Sequence, residues 1–292
     1  MAQRPVLLDT DIGTDVDDIL ALALLAKAPE LDLVGVATVY GDTPFRARIA
    51  RFSLDKLGRN DVPVVAGAQK TLTDRPVWWA GHEGEGIPGL ADIPAIEGAA
   101  SDAFLHETAR RHDDALEIAA IGPLTNIARA ISGDPDFAPR VRHLWIMGGV
   151  FWQETAEHNI KCDPEAADVV FRSPIPITVC GLDVTRQVWF REPEVAAIAA
   201  SCGELGPVLE DQIRRWWAFS KSDRNNPHDP LALLPMVRPE LFRFEHCDVA
   251  VGLGADDLAR TTPTGCGAGR VRIAADVRAA AAEAEMVRRI TA

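Results

Sequence analysis

Five carboxylates fall within ten residues near the start of the chain, in Asp9-Thr10-Asp11-Ile12-Gly13-Thr14-Asp15-Val16-Asp17-Asp18. Acids packed this closely raise one another's pKa unless a cation sits among them. Several hard oxygen donors with no neighbouring cysteine favour Ca2+ or Mg2+ over zinc. Helix capping accounts for part of the run, with Thr14 as N-cap and Asp15, Asp17 and Asp18 set against the helix dipole. It leaves Asp9 and Asp11 unexplained, because they end the preceding strand. An EF-hand-like loop fails on spacing: counted from Asp9, the fifth residue is Gly13 and the twelfth is Leu20, where an acid and a glutamate are needed.

Such acids need elements to aim them. Short runs rich in Val, Ile and Leu at residues 5–8, 33–40, 62–66, 116–121, 143–147 and 175–180 each pass into glycine or polar residues. Helical segments follow several of them, one from about residue 15 to 28 and one ending near residue 57. Residues 193–239 read as helices, 248–253 and 270–274 as late strands, and 278–290 as a closing helix. The alternation predicts an α/β fold, an open, mostly parallel, doubly wound sheet with helices on both faces. No repeat or linker interrupts it, so one domain over residues 1–292 is expected. In such sheets ligands bind beyond the carboxyl ends of the strands. Those ends carry Asp9, Asp11, Asp42, Thr125 and Asp183, which predicts a strongly acidic site. A strand ending in Asp-x-Asp also suits a haloacid-dehalogenase-type phosphatase, with Asp9 as nucleophile and Mg2+ assisting.

The composition narrows the partners. Lys and Arg number 30 against 43 Asp and Glu, a formal charge of −13. That balance argues against a nucleic acid or an anionic membrane, both of which call for basic patches. A hydrophobic content of 47% rules out disorder. The first residues do not read as a signal peptide, and no apolar stretch reaches the roughly 18 residues of a membrane span. The five cysteines are scattered, odd in number and without a CxxC pair. No disulfide framework or structural zinc site is expected from them, and a reducing, cytoplasmic setting is the simpler reading.

Further motifs lie in order along the chain: Thr38-Val39-Tyr40-Gly41-Asp42, Gly81-His82, Gly122-Pro123-Leu124-Thr125-Asn126, Met147-Gly148-Gly149, Asn159-Ile160-Lys161-Cys162-Asp163-Pro164-Glu165, Gly181-Leu182-Asp183-Val184-Thr185 and His228-Asp229-Pro230. Together with the acidic run they resemble the inosine-uridine-preferring nucleoside hydrolases over nearly the whole chain. The resemblance implies cleavage of the N-glycosidic bond of a ribonucleoside to ribose and free base, without a covalent enzyme intermediate. It also implies a tightly held Ca2+ with Asp11, Asp18, Asp229 and the backbone carbonyl of Thr125 as ligands. Asp11 then serves as general base for the attacking water, and Asp17 holds a ribose hydroxyl. Glu157 and Asn159 grip the far side of the sugar, His228 is the acid near the departing base, and His82 lies in a loop that closes over it. A homodimer or homotetramer acting in purine and pyrimidine salvage is the corresponding expectation. A non-catalytic nucleoside or sugar binder remains the other alternative beside the phosphatase.

Three departures from the family's commoner pattern bear on the site. The acidic motif is two residues longer, with Ile12 in place of proline, so Asp15 is an alternative metal ligand. Asp42 stands where asparagine is usual and adds charge beside the sugar. The stretch from Val150 to Glu157 is short and lacks an asparagine often used for ribose. Plainer local readings stand beside these roles: Asp229 as a helix N-cap with Pro230 following, Thr125-Asn126 as another cap, and the tryptophan pairs 78–79 and 216–217 as core or interface packing. The glycines around His82 suggest a mobile lid.

Overall fold

The computed structural model describes residues 3–96 and 101–292. Its described strands are β1 (Arg4–Thr10), β2 (Leu31–Thr38), β3 (Val64–Ala66), β4 (Leu116–Ala120), β5 (Val141–Met147), β6 (Ile177–Cys180), β7 (Phe242–Val251), β8 (Thr261–Thr264) and β9 (Val271–Val277). They form one sheet in the order β3-β2-β1-β4-β5-β6-β9-β7-β8. Pairing is parallel from β3 across to β9, whereas β7 lies antiparallel to both β9 and β8. The expected mostly parallel α/β sheet is present, and β7 alone among the described strands runs against it. Strand β8, Thr-Thr-Pro-Thr, is absent from the sequence reading because its residues carry no apolar run.

Both faces of the sheet are covered, and alternation along each strand shows it. On β1, Leu8 joins the core of one face while Leu7 joins the other; on β5, Trp145 and Met147 divide in the same way from Leu144 and Ile146. The helix Asp17–Lys27 is buried from Asp17 through Leu25. That explains why Ile19–Ala26 is apolar all round: the segment sits between sheet and neighbouring helices and has no wet face. Its N-cap is Val16, without a side-chain cap bond, so the capping role expected of Thr14 is not realised.

The chain reverses around β1. Its neighbours are β2 on one side and β4 on the other, reached by connections that leave in opposite directions. This is the switch point of a doubly wound sheet, where a crevice opens beyond the strand ends. Asp11, just past the end of β1, is the residue that lines it.

At the far edge, Cys247 of β7 and Cys266 of the turn after β8 form a disulfide with an S–S distance of 2.06 Å. This corrects the expectation that the cysteines stand apart. The β7–β8 hairpin pairs Asp248 with Thr264 and folds a separation of 19 residues back on itself. Cys162, Cys180 and Cys202 are free and buried. Among the described residues no helix is long and apolar enough to cross a membrane.

The closing helix Ala279–Thr291 is fixed by Glu285, which is only 8% exposed and accepts hydrogen bonds from Arg288 and Arg289 while pairing with Arg238. Those guanidiniums, Arg288 first, hold its carboxyl down at about 2, below the ordinary 4.5. A depressed folded pKa stabilises above the unfolded value and ceases to do so as pH falls through the folded one. Glu285→Gln is therefore expected to cost about 2 kcal/mol at neutral pH, discounted for the exposed arginines. The cost fades between pH 4.5 and about 2, the window set by the two values. Urea unfolding of both proteins across that range measures it.

Candidate active site

Beyond β1 the acidic run folds into a tight loop before the helix Asp17–Lys27. Gly13 turns it at φ +117°, where an added Cβ would stand 2.5 Å from the Ile49 side chain, so the position requires glycine. Arg46, 1% exposed on the helix Thr43–Lys56, reaches under the loop. Its guanidinium donates to the carbonyl oxygens of Asp11, Ile12 and Tyr40, with Ile12 at 2.9 Å and Tyr40 at 2.8 Å, and to the Thr14 hydroxyl. Trp79 packs against its outer side, 4.7 Å from ring centroid to Cζ. A buried arginine that holds backbone oxygens was not legible in sequence. Arg46→Met is expected to lower stability by about 3 kcal/mol by stranding those buried acceptors, and to lower activity with it. Thermal melting and turnover of the variant check both.

The loop delivers its acids to a cavity of about 380 Å3. Asp11, Asp15, Asp17 and Asp18 line it from β1 and the following loop and helix, Ile121 from the end of β4, and Met147 from the end of β5. Asp229 and His228 arrive from the helix His228–Leu233, some two hundred residues later. Asp17, Asp18 and Asp229, buried at 5%, 4% and 4% exposure, bring carboxylate oxygens within 4.8 Å of one another. Thr10 donates its hydroxyl to Asp18, and the Asp229 amide donates to Asp17 at 3.3 Å. Burial first, and neighbouring carboxylates after it, push all three well above the ordinary carboxylate range. Burial raises Asp11 as well, against the opposing charges of Arg46 and His158, and lifts Asp15 to about 8. Arg46 spends its donors on carbonyls and the Thr14 hydroxyl, so it bonds none of these carboxylates. Crowded, buried, hard oxygen donors of this kind fit a divalent cation such as Ca2+ or Mg2+.

Also in the cavity wall, Glu157 caps the short helix His158–Cys162 and accepts from the backbone amides of Gly149, Asn159 and Ile160 at 2.9–3.1 Å. Burial still raises its carboxyl. Asn159 donates its amide to the carbonyls of Ile121, at 2.8 Å, and Met147, at 3.3 Å, tying itself to the ends of β4 and β5. Trp78 and Trp216 also line the cavity. Both therefore stand at the cavity and outside the buried core.

Several expected residues are placed elsewhere. Thr125 opens the helix Thr125–Gly133 but is buried away from the cavity, its hydroxyl donating to Asp163 at 2.6 Å. The strand-end residue in the cavity wall is instead Ile121, four positions earlier, because β4 stops at Ala120 and its next residue meets the crevice. Asp42 is not in the wall either: Tyr40 and Gly41, at φ 69° and 78°, turn the chain so that Asp42 caps the helix Thr43–Lys56, accepting from Phe45 N at 3.0 Å. Asp229 lies in the first turn of its helix, with Pro227 at the cap position.

His82 bonds the Thr14 carbonyl at 3.0 Å and packs 4.4 Å from the Phe219 ring, in a side cavity of about 240 Å3 that shares Thr14, Asp15 and Trp216 with the main one. Its loop is pinned by Glu83, which accepts from the amides of Ala80 and Gly81 and from Thr14. His228 faces Thr185, with Nδ1 and Oγ1 2.7 Å apart. Burial, and after it the charge of Arg186, draws its ring down to about 4. At that value the ring is uncharged at pH 7, and it lines the cavity beside Asp229.

Asp9 is fully buried, with one oxygen 2.6 Å from the Asn126 amide and the other without a partner; burial lifts it to about 8. A sealed carboxyl away from the cavity wall is no phosphoryl nucleophile, which sets the phosphatase reading aside.

Fold and site together define an α/β enzyme with an acidic, cation-fitting cavity at the switch point of its sheet. The family model described as inosine-uridine preferring nucleoside hydrolase matches residues 6–285. The chain belongs to that family, and it is an N-glycosyl hydrolase rather than a non-catalytic binder. It is 35% identical over 278 residues to the non-specific ribonucleoside hydrolase RihC of Escherichia coli, covering 88% of this chain and 87% of that one. It is 33% identical over 261 residues to a probable uridine nucleosidase 2 of Oryza sativa, covering 83% and 77%. Among solved structures, the plant nucleoside hydrolase PpNRh1 superposes with a TM-score of 0.89 at 29% identity, each chain fully covered.

Proposed function

We propose that this chain is a calcium-dependent ribonucleoside hydrolase releasing ribose and a free base. One observation carries the reading: buried Asp17, Asp18 and Asp229 converge beside Asp11, in a cavity whose wall also holds Glu157 and Asn159. Asp11, Asp18, Asp229 and the Ile121 carbonyl hold the ion, with Asp15 as the alternative ligand. A Ca2+ held by these residues would lower the pKa of a bound water and would offer a site for vicinal sugar hydroxyls.

The protein's own groups then divide the work. Asp11 accepts the proton of the attacking water. Asp17 accepts a hydrogen bond from a ribose hydroxyl. Glu157 and Asn159 orient the far side of the sugar, and the Asn159 amide is already committed to strand ends, which leaves its Oδ1 to accept. Breaking the N-glycosidic bond builds positive charge on the ring, and a pocket lined with carboxylates stabilises that charge. His228, neutral and held by Thr185, assists the departing base as a hydrogen-bond donor through Nε2. Trp78 and Trp216 offer flat apolar faces to sugar or base.

Action on the whole chain as one domain, as a homodimer or homotetramer in cytoplasmic nucleoside salvage, belongs to the same proposal. A free-thiol count on protein purified from the cytoplasm tests the setting, because the Cys247–Cys266 bond removes two of five thiols. The main test incubates purified protein with Ca2+ and a panel of purine and pyrimidine ribonucleosides, with reducing-sugar detection. Ribose release lost in Asp11→Ala is the expected result; no release from any member of the panel overturns the reading.

A further inference from the structure

The turn that leaves β5 is held by side chains from outside the cavity. Met147 lines the cavity, and Gly149, just after it, donates its amide to the Glu157 carboxylate at 3.1 Å. Gly149 turns at φ +81°, where an added Cβ would stand 2.9 Å from the Phe151 ring, so the position requires glycine. Its carbonyl accepts from the Leu182 amide at 2.9 Å. Past this turn the chain has left the sheet, and its buried backbone groups must find partners elsewhere.

Two side chains supply them. Thr261, only 4% exposed on the edge strand β8, accepts from the Val150 amide at 3.0 Å and donates to the Val150 carbonyl at 2.8 Å. One hydroxyl thus satisfies both polar groups of a buried residue. It does so from a strand that is not a neighbour of β5 in the sheet. Asp183, which the sequence sets at a strand end, accepts from the Phe151 amide at 2.7 Å and from the Trp152 amide at 3.4 Å. Neither Thr261 nor Asp183 lines the cavity.

Glu157 makes the arrangement consequential. Of the three amides it accepts from, those of Asn159 and Ile160 belong to the helix it caps, and only that of Gly149 comes from another element. The tie between this carboxylate and the end of β5 therefore depends on where the Gly149 turn is held. We infer that Thr261 and Asp183 are positioning residues for sugar binding, holding the turn after β5 so that the Gly149 amide fixes the Glu157 carboxylate. The inference rests on the nucleoside-hydrolase reading above, in which Glu157 orients the sugar. No bond of the reaction is made or broken at either residue. Losing one of them weakens the hold on the sugar, which raises KM more than it lowers kcat.

Three substitutions test this. Thr261→Val keeps the shape and removes the hydroxyl, Thr261→Ser restores it, and Asp183→Ala removes the second clamp at a partly exposed position. Each is measured on the Ca2+-loaded protein with uridine and inosine, alone and combined with Glu157→Gln. Ribose binding by calorimetry and the melting temperature are followed alongside. The expected result is a rise in KM of about tenfold in Thr261→Val and in Asp183→Ala, with ribose affinity falling in step and Thr261→Ser close to the natural protein. In the Glu157→Gln background neither loss lowers kcat/KM further, because both act through that carboxylate. Losses that multiply with Glu157→Gln overturn the inference, as does a KM that stays within about twofold of the natural value in both variants. If Thr261→Val does not fold, Asp183→Ala decides by the same two criteria. A natural protein that cleaves nucleosides while both clamps prove indifferent overturns the inference alone. One that cleaves none overturns the nucleoside reading, and the inference with it.

Discussion

Asp11→Asn is expected to lower kcat for nucleoside hydrolysis by about 10²–10⁴-fold, the range lost with a general base. The side chain changes while the loop that carries it does not, because Arg46 holds the loop through backbone carbonyls, the Asp11 carbonyl among them. Folding is expected to survive for a second reason. Asp11 lies among buried acids that raise one another, so removing one negative charge relieves repulsion. The melting temperature without cation therefore stays level or rises while turnover collapses. Retention of kcat within threefold would take the general base away from Asp11. Asp15, lifted to about 8 in the same wall, is then the next carboxylate to replace.

The second large effect belongs to the cation. Three carboxylates buried within 4.8 Å of one another are unfavourable as anions, so the folded state gains when a divalent ion binds them. At a thousandfold excess over its dissociation constant an ion adds about 4 kcal/mol. For a chain of 292 residues that corresponds to roughly 7 °C in melting temperature. Chelation is expected to reverse the shift and to abolish ribose release together. Asp18→Asn makes the prediction sharper, because the sign of its effect inverts. Without cation the variant melts above the natural protein, one repulsive charge having gone; with cation it melts below, one ligand having gone. Parallel melts with chelator and with Ca2+ show whether the curves cross. Two curves that keep their order in both conditions would show that this cluster is not the ion's site.

Much of this centre was legible before any coordinates. The acids from Asp9 to Asp18 are local in sequence, and strands rich in Val and Ile alternating with helices leave few topologies other than a doubly wound sheet. What was not legible depends on where a strand stops and which way a turn points. Thr125 and Ile121 flank the same β4-to-helix connection, and only the end of β4 at Ala120 decides which one meets the crevice. Asp42 left the site through two positive φ values at Tyr40 and Gly41, a feature that residue types alone do not announce for a tyrosine. Asn126, which read as a cap, instead ties β1 to β2 by donating to Asp9 and to the Thr38 carbonyl and accepting from Ala68. The disulfide required the β7–β8 hairpin, whose second strand has no apolar signature. The tryptophans carried a visible signal, two adjacent pairs in a chain with seven, but not which member of each pair lines the cavity.

Arg46 separates two properties that a cation usually couples. An arginine paired with carboxylates fixes their position and cancels their charge at once. This one fixes the loop by its carbonyls, so the shape of the loop and its negative potential are set by different atoms. The number of acids above it can then change without unmaking the scaffold beneath. Affinity for the cation is thereby open to adjustment at fixed geometry, one side chain at a time.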